Sequence, residues 1–480
     1  MSKLSSLFLI VLFSSLNGAL QTACQSRTNS EQLKPNSFLV DKTVREHTVA
    51  FINVNVLPMD QETTLKNQTV IVRDGKIALV GAADQIKVPE NALKVDGRDQ
   101  FLMPGLADMH VHIRDEKELI SYLSYGVTTV LNMRGSPEIL ELRTRIENNE
   151  IIAPTIFTAS PLLDGDPPIW RGSGTIVLTN PEDAKRVVID QKRAGYDFIK
   201  IYNRLTPDVY RAALEAAKQN NIGSVGHIPR QVGAEEALKA GQTMIAHGEE
   251  FFFTYFGGPT DKLNQAENRF KPDEGKIPAI AQQTHKAGTA ITPNLSFIEA
   301  TKRQLENFDA VVSDPEARFL TPDVLSMWKS SNPNNRRDLE QFKEREKLKQ
   351  PLVKELTKGF SDAGVLLLLG TDASAPGLFP GKSAHIELRE LVSAGLTPFQ
   401  ALSTGTRNAG EFIRKNLKSA RPFGTIRVGQ KADLILLSKN PLQDINAISS
   451  INGVMIRGHW LPQAELQKMR KDIENQDAYR

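Results

Sequence analysis

From residue 105 onward, short apolar runs rich in Val, Ile and Thr alternate with longer segments whose apolar residues recur at helical spacing. The runs predicted as strands are 106–112, 127–132, 154–159, 197–202, 222–227, 243–247, 289–294 and 365–371, eight in all. Helical patterns lie between them, among them PEDAKRVVIDQKRAG, PDVYRAALEAAKQNN, AEEALKAG and AHIELRELVSAG. Pro137, Pro181 and Pro207 stand at early helical positions, where a missing N–H costs nothing. Gly195 and Gly241 follow helical runs directly before the next strand, as C-terminal caps do. Strand–helix alternation implies parallel strands joined by crossover helices. Eight such units predict an α/β fold with a closed (β/α)8 TIM-type barrel over residues 105–420.

The flanks have a different pattern. Residues 45–104 contain alternating strands (TVAFINVNVL, TVIVRDGKIALVG), and residues 421–463 resemble them (GTIRVGQKADLILLS, VMIRGHWL). A chain that leaves from strands and returns to strands predicts one small β-sandwich domain built from both ends. Residues 256–352 are polar, charged and Pro-containing, and read as a strand plus an enlarged loop over one barrel face. Residues 464–480 read as a charged helix or tail.

At the N-terminus, Lys3 precedes LSSLFLIVLFSSL, an apolar run of signal-peptide length and too short to span a bilayer comfortably. Residues 1–23 are therefore expected to be a signal peptide, and residues 24–44 a polar tether. Cys24 after Ala23 resembles the lipid-attachment site of bacterial lipoproteins, although Gln21 stands where an aliphatic residue is usual. The expected location is exported, either periplasmic or as a membrane-anchored lipoprotein with Cys24 as the candidate lipid anchor. Cys24 is the single cysteine, so this sequence holds no intrachain disulfide.

Composition narrows the function classes. The chain has 480 residues, 40% hydrophobic and 24% charged, which is ordinary for a globular protein. The net charge of +3 is small and no basic stripe is interleaved with aromatics, so nucleic acid is not an expected partner. The expected partner is a small-molecule substrate, and homo-oligomer formation is left open.

The chemistry is concentrated at the ends of the predicted strands. His110-Val111-His112 closes the first, and residues at i and i+2 share a strand face, so both imidazoles can reach one metal ion. Alone, the pattern equally fits a pair of structural histidines. Of eight histidines, four (His110, His112, His227 and His247) fall at or next to the C-terminal ends of strands one, five and six. Active sites of such barrels lie at that end. Lys200 sits in the apolar strand DFIKIY, where an ammonium needs a partner or a shifted pKa. Asp372 ends LLLLGTD at the mouth, as a cation ligand, a proton acceptor or a simple helix cap. Tyr202, Arg230 and Arg134 are candidate substrate contacts, the guanidiniums as clamps for a carboxylate. The loop 162–174 (LLDGDPPIWRGSG) could form a lid or a plain surface loop, and Glu249 and Glu250 could orient ligands or be solvated. His385 is expected to make a structural hydrogen bond, while His47, His285 and His459 are expected at the surface or in packing.

Taken together, HxH on strand one, Lys on strand four, His on strands five and six and Asp on strand eight resemble the amidohydrolase superfamily of metal-dependent hydrolases. The resemblance spans roughly residues 48–462 and includes VDGRDQFLMPGLADMHVH and ADLILL. FIKIY, VGHIP and HIELRELVSAGLTPFQALSTGTRNAGEF look like its imidazolonepropionase-like branch, which includes dipeptidases and carboxypeptidases of the Xaa-Pro and Xaa-Arg/Lys type. The resemblance implies two divalent metal ions, zinc being best suited to a nitrogen-rich set. It also implies a carbon dioxide-derived carbamate on Lys200. His110, His112, Lys200 and Asp372 would hold one ion, and Lys200, His227 and His247 the other. A bridging hydroxide would attack a carbon–nitrogen bond of amide or dipeptide type, with Asp372 as the catalytic proton carrier. Related barrels open lactones, carbamates and phosphotriesters with the same site, and an exported binding protein without catalysis is a third reading. No ligand of the set is missing here, which counts against that third reading.

Overall fold

The structure, a computed structural model, describes residues 48–258, 270–418 and 420–477. The expected signal peptide, the tether, Cys24 and His47 lie outside the described residues.

Five strands open the fold: β1 (Thr48–Val56), β2 (Leu65–Arg73), β3 (Lys76–Ala82), β4 (Leu93–Asp96) and β5 (Phe101–Pro104). Seven barrel strands follow, β6 (Leu106–Val111), β7 (Val127–Asn132), β8 (Thr155–Asp164), β10 (Phe198–Ile201), β11 (Gly223–Gly226), β12 (Met244–Ala246) and β13 (Ala290–Thr292), while the short β9 (Thr175–Val177) lies off the barrel path and pairs with β8 alone. Then come β14 (Leu434–Leu437), β15 (Ile451–Ile456) and β16 (His459–Pro462). Two sheets result, one in the order β16-β15-β14-β5-β1-β2-β3 and one in the order β13-β12-β11-β10-β8-β7-β6.

The first sheet joins both ends of the chain, because β5 pairs with β1 on one side and with β14 on the other. It curls on itself. Phe51 of β1 and Trp460 of β16 are four strands apart in order, yet their ring centroids are 5.1 Å apart. A flat sheet spaces neighbouring strands about 4.8 Å apart and would hold the two rings far from each other. Val49, Val54, Val70, Leu102, Leu434 and Met455 fill the space between the folded halves.

The second sheet is parallel throughout its main path. Alternation explains its layers: in β10, Phe198 faces the barrel interior while Ile199 and Ile201 pack outward on the helices. Met109, Leu131, Ala159, Val225, Met244 and Leu368 share the interior with Phe198, and Phe412 of helix Arg407–Asn416 stacks on Phe198 at 5.6 Å to plug the base. Helices begin at Pro137, Pro181 and Pro207, and Gly195 and Gly241 close theirs in the left-handed region, as the punctuation predicts.

Two expectations need correction. The predicted eighth strand, 365–371, closes the barrel without forming a regular ladder. It makes one isolated bridge to β13 at Ile291↔Leu367, and the residue pair Val111↔Ala373 just beyond it makes another to β6, so no run of consecutive pairs builds. Single bonds complete the closure, including Met109 N to Leu369 O at 2.8 Å and Leu368 N to Ile291 O at 2.9 Å. The expected enlarged loop within 256–352 is largely helical, with helices Ile277–Ala287, Leu295–Val312, Pro322–Ser330 and Leu339–Asp362. Their charged faces mask narrow apolar stripes, such as Leu352, Val353, Leu356 and Phe360. Trp328 from this region is buried against Phe379 and donates to Ser374 O at 3.1 Å, so the insertion braces the segment that carries Asp372. The C-terminal stretch is a docked helix, Gln463–Asp477, with Leu466, Met469 and Ile473 buried.

Arg457 joins the terminal sheet to the barrel. Its guanidinium donates to Ala153 O (2.6 Å), Ile151 O (2.8 Å) and Asn149 Oδ1 (3.2 Å). An unmade buried carbonyl bond costs about 1–3 kcal/mol. Arg457→Met is therefore expected to destabilise the fold by about 2–4 kcal/mol, read as a lower urea midpoint, and an unchanged midpoint would remove this clamp from the account.

Candidate active site

Six side chains predicted from the sequence stand at or just past the C-terminal ends of the barrel strands. His110 lies in β6 and His112 just beyond it, Lys200 lies in β10, His227 follows β11, His247 follows β12, and Asp372 ends the closing segment. His110 is central: its ring centroid is 5.4 Å from that of His112 and 4.7 Å from that of His247. His247 is in turn 4.9 Å from His227. Asp372 Oδ1 lies 2.9 Å from His112 Nε2 and 3.1 Å from His110 Nε2. Ligand atoms of His110, His247 and Asp372 fall within 4.8 Å of one another, close enough to belong to one metal-binding cluster.

The backbone is bent to achieve this. His247 and Asp372 have φ of +66° and +67°, the left-handed region that side chains other than glycine enter at a cost of about 1 kcal/mol or more. Asn294, itself at φ +54°, accepts from His247 N at 3.2 Å and holds that turn.

Electrostatics favours cation binding. Both ring nitrogens of His110, Nδ1 of His112 and of His247, and Nζ of Lys200 are buried without a hydrogen-bond partner. Buried polar atoms in folded proteins are nearly always satisfied, so a cluster of buried imidazole nitrogens and an amine with so few protein partners, beside the Asp372 carboxylate that lies 3.1 Å from His110 Nε2, fits a metal-binding set. Burial pushes His110 and His227 well below the ordinary imidazole range, with Lys200 adding to the effect, so their lone pairs stay free of protons. Burial alone would raise Asp372, but His110 and His112 outweigh it and keep the carboxylate ionised. Burial lowers Lys200 to about 8, against the pull of Asp372 and Glu250.

A supporting layer surrounds these groups. Glu250, which the sequence left between ligand-orienting and solvated, is buried. Its Oε1 lies 2.8 Å from His227 Nδ1 and its Oε2 accepts from Arg230 Nη1 at 2.9 Å. Carboxylates behind ligating histidines typically set metal affinity by about 10–100-fold. Glu250→Ala is expected to weaken metal binding by about that factor in a titration of the metal-free protein, and unchanged affinity would count against the arrangement. Asp108 escaped the sequence reading. Its Oδ2 accepts from Thr371 Oγ1 at 2.7 Å and ties β6 to the closing segment, and its position two residues before His110 was the available signal.

Glu118 was also missed. Fully buried on helix Glu118–Ser124, it accepts from Arg114 N (3.2 Å), with the Ser374 hydroxyl at 3.4 Å. Burial raises its carboxyl from 4.5 to about 8. Because the folded value lies above the unfolded one, the folded protein binds the extra proton between these limits, and stability falls as pH rises through that window. The limiting slope is about 1.4 kcal/mol per pH unit. Glu118→Gln should therefore be nearly neutral in stability at pH 5 and stabilising at pH 9, and a difference that does not depend on pH would refute the assignment.

Among the substrate candidates, Tyr202 lies with its ring 4.4 Å from His227, and its hydroxyl accepts from Trp170 Nε1 at 2.8 Å. Arg230 is engaged by Glu250 and stacks over Phe253 at 4.3 Å. Arg134 is half-buried with Arg114 and Tyr202 as its charge neighbours; burial and Arg114 lower its pKa. Arg114, directly beyond the HxH pair, was not singled out from the sequence. His385 makes its expected structural contact, 2.9 Å from Tyr125 O. A separate cavity of about 490 Å³, lined by His285, Arg407 and Lys415 among others, opens near Thr289 and Val365 at the opposite end of the barrel.

The parallel barrel with this polar cluster at its C-terminal mouth defines a barrel hydrolase with a candidate metal centre. The amidohydrolase family model matches residues 101–461, and the chain belongs to that family. It is thus a hydrolase of the amidohydrolase type, a family that is typically metal-dependent. Ochratoxinase from Aspergillus niger is 22% identical over 87% of this chain and 86% of its own length. Two solved structures share the fold. Bottromycin amidohydrolase has a TM-score of 0.69 and 21% identity, covering 92% of this chain and 95% of the other. A Xaa-Pro dipeptidase with methionine bound in its active site has a TM-score of 0.64 and 19% identity, covering 86% of this chain and all of the other (100%).

Proposed function

We propose that this protein hydrolyses a carbon–nitrogen bond of amide or dipeptide type in a small-molecule substrate. The observation that carries the reading is the buried convergence of His110, His112, His247 and Asp372, with one Asp372 oxygen against the Nε2 atoms of both His110 and His112 and with Lys200 electrostatically coupled to His110. Names of relatives support the bond type: ochratoxinase, an amidohydrolase and a dipeptidase.

In this reading His110, His112, Lys200 and Asp372 would hold one divalent cation, and Lys200, His227 and His247 the other, zinc being best suited to the donor set. Such a pair supplies a water acidified towards neutral pH and positive charge for the carbonyl oxygen. Lys200 reaches its anionic form when its uncharged Nζ bonds the carbon of carbon dioxide and releases one proton. Burial helps by lowering the amine to about 8, which raises the share of uncharged Nζ at neutral pH.

Asp372, kept ionised, accepts the proton of the attacking water and delivers it to the leaving nitrogen. Tyr202, kept protonated by burial, can donate its own hydrogen to the substrate carbonyl while accepting from Trp170. Arg134, with Arg114 beside it, offers positive charge for a substrate carboxylate, and Arg230 positions His227 through Glu250. The leader-like run before Cys24 supports export, with Cys24 as the proposed lipid anchor.

The test is a screen of dipeptides and N-acyl amino acids with zinc and bicarbonate present, together with metal analysis of the purified protein. Release of free amino acid by metal-loaded enzyme is expected. Turnover confined to lactones and aryl esters would overturn the bond assignment, and a protein that takes up no divalent metal would overturn the site.

A further inference from the structure

The segment after β8 gathers exposed large apolar side chains beside the mouth of the barrel. Five large apolar side chains are exposed among the described residues, and three of them lie here: Ile169 (44%), Trp170 (48%) and Val177 (43%). Exposure of an indole is costly in hydration terms, and pinned apolar surface beside a polar site is characteristic of ligand contact.

The segment is pinned at several points. Asp164, buried at the end of β8, accepts from Ile169 N at 2.8 Å and from Arg204 N at 2.7 Å. Arg204 Nη1 donates to Pro167 O at 2.6 Å. A Cβ added at Gly165 would lie 1.9 Å from Arg204 O, so the two backbones are in direct contact and only glycine fits. Trp170 itself is tied by Nε1 to Tyr202 OH at 2.8 Å, and Tyr202 lies against His227. The indole thus stands one side chain away from a proposed metal ligand. Near the end of the same segment, Gly174 packs on Arg134: an added Cβ would lie 2.4 Å from its Nε.

The geometry points to Trp170, with Ile169, as the specificity-determining surface for an aryl-sized apolar group of the substrate, beside the guanidiniums of Arg134 and Arg114. The substrate class is an amphipathic amide, with a bulky apolar acyl group on one side of the bond and a free carboxylate on the other. This rests on the reading of the site as a carbon–nitrogen hydrolase, but the surface can be probed without turnover. Two chemical features of one small molecule match two neighbouring features of the mouth, which a second copy of the chain or a membrane surface would have no need of.

The experiment is acrylamide quenching of tryptophan fluorescence in the full-length protein, with N-benzoyl-leucine or N-acetyl-leucine added. Trp328 is fully buried and Trp460 partly so, leaving Trp170 as the most accessible indole. Benzoyl-leucine is expected to protect the quenchable fraction and acetyl-leucine to leave it unprotected, while Trp170→Phe should remove that fraction. In kinetics, Trp170→Ala should lower the benzoyl-over-acetyl preference in kcat/KM by about ten- to a hundredfold, the range of an apolar specificity pocket. Trp170→Phe should keep most of the preference while lowering kcat for both compounds, because the hydrogen bond to Tyr202 is lost.

Equal protection by both ligands, or by neither, overturns the proposal whatever the activity. An equal kinetic loss on both substrates in Trp170→Ala also overturns it, since that is the mark of a purely structural residue. Protection that grows with protein concentration in the absence of ligand would make the patch an interface between copies, and would also overturn it. Selective protection without hydrolysis of either compound would leave the apolar subsite standing and remove the proposed reaction.

Discussion

Asp372→Asn is expected to abolish turnover while the protein remains folded. The substitution preserves shape but removes the charge that His110 and His112 hold in place at 3.1 and 2.9 Å. Without it the group proposed to take the proton from the attacking water and return it to the leaving nitrogen is lost. A positioned acid–base group contributes about 10²–10⁴-fold, and the upper end is expected here because the same carboxylate belongs to the proposed metal-binding set. The fold should survive. Asparagine tolerates the left-handed φ of +67° at this position. The backbone bonds Asp372 N to His110 O (2.7 Å) and Ala375 N to Asp372 O (2.8 Å) do not involve the side chain. Single-turnover rates and a urea titration together check the expectation. Full activity in a folded Asn variant would take Asp372 out of the proton path.

Lys200→Ala is the second large effect, and its signs differ between metal-free and metal-loaded protein. Lys200 Nζ is buried without a hydrogen-bond partner, which is costly for an amine in any protonation state. Its removal should leave the metal-free protein about as stable as before, with the loss of packing near Gly226 offset by the loss of the buried amine. Divalent-metal content and turnover should both collapse, because the group proposed to hold both ions is gone. Small carboxylates such as acetate, entering the space left by the side chain, should restore part of each. A Lys200→Ala variant with undiminished metal content and rate would show that Lys200 is a structural residue.

The barrel strands and the helix limits around Pro137, Pro181, Pro207, Gly195 and Gly241 were legible because they are local. Alternation of apolar residues, a fixed proline φ and a left-handed glycine act over a few neighbours, and those neighbours are adjacent in the chain. Strand direction then places His110, His112, Lys200, His227, His247 and Asp372 at one end of the barrel before any contact is known. Within 256–352 the pattern predicts a strand, which is present as β13, and an enlarged loop where helices stand instead, because their apolar stripes are narrow, their charge is high and only docking on the barrel shows which face is hidden.

What remained out of reach depends on pairs that are distant in sequence. Asp108 meets Thr371 across 263 positions, Trp170 meets Tyr202 across 32, and His227 meets Glu250 across 23. No periodicity records such pairs, because nothing in the residues between them changes when the pair forms. The left-handed turns at His247 and Asp372 belong to the same class: Asp and His enter that region more readily than most side chains, but nothing in the neighbouring sequence marks these two positions for it. Residue order alone thus settled the kind of fold and the end of the barrel where chemistry resides. Three-dimensional closure settled which nitrogens are stranded without partners, which carboxylate stands behind which imidazole, and which indole faces the mouth, because burial and charge coupling exist only once distant segments share one low-dielectric space.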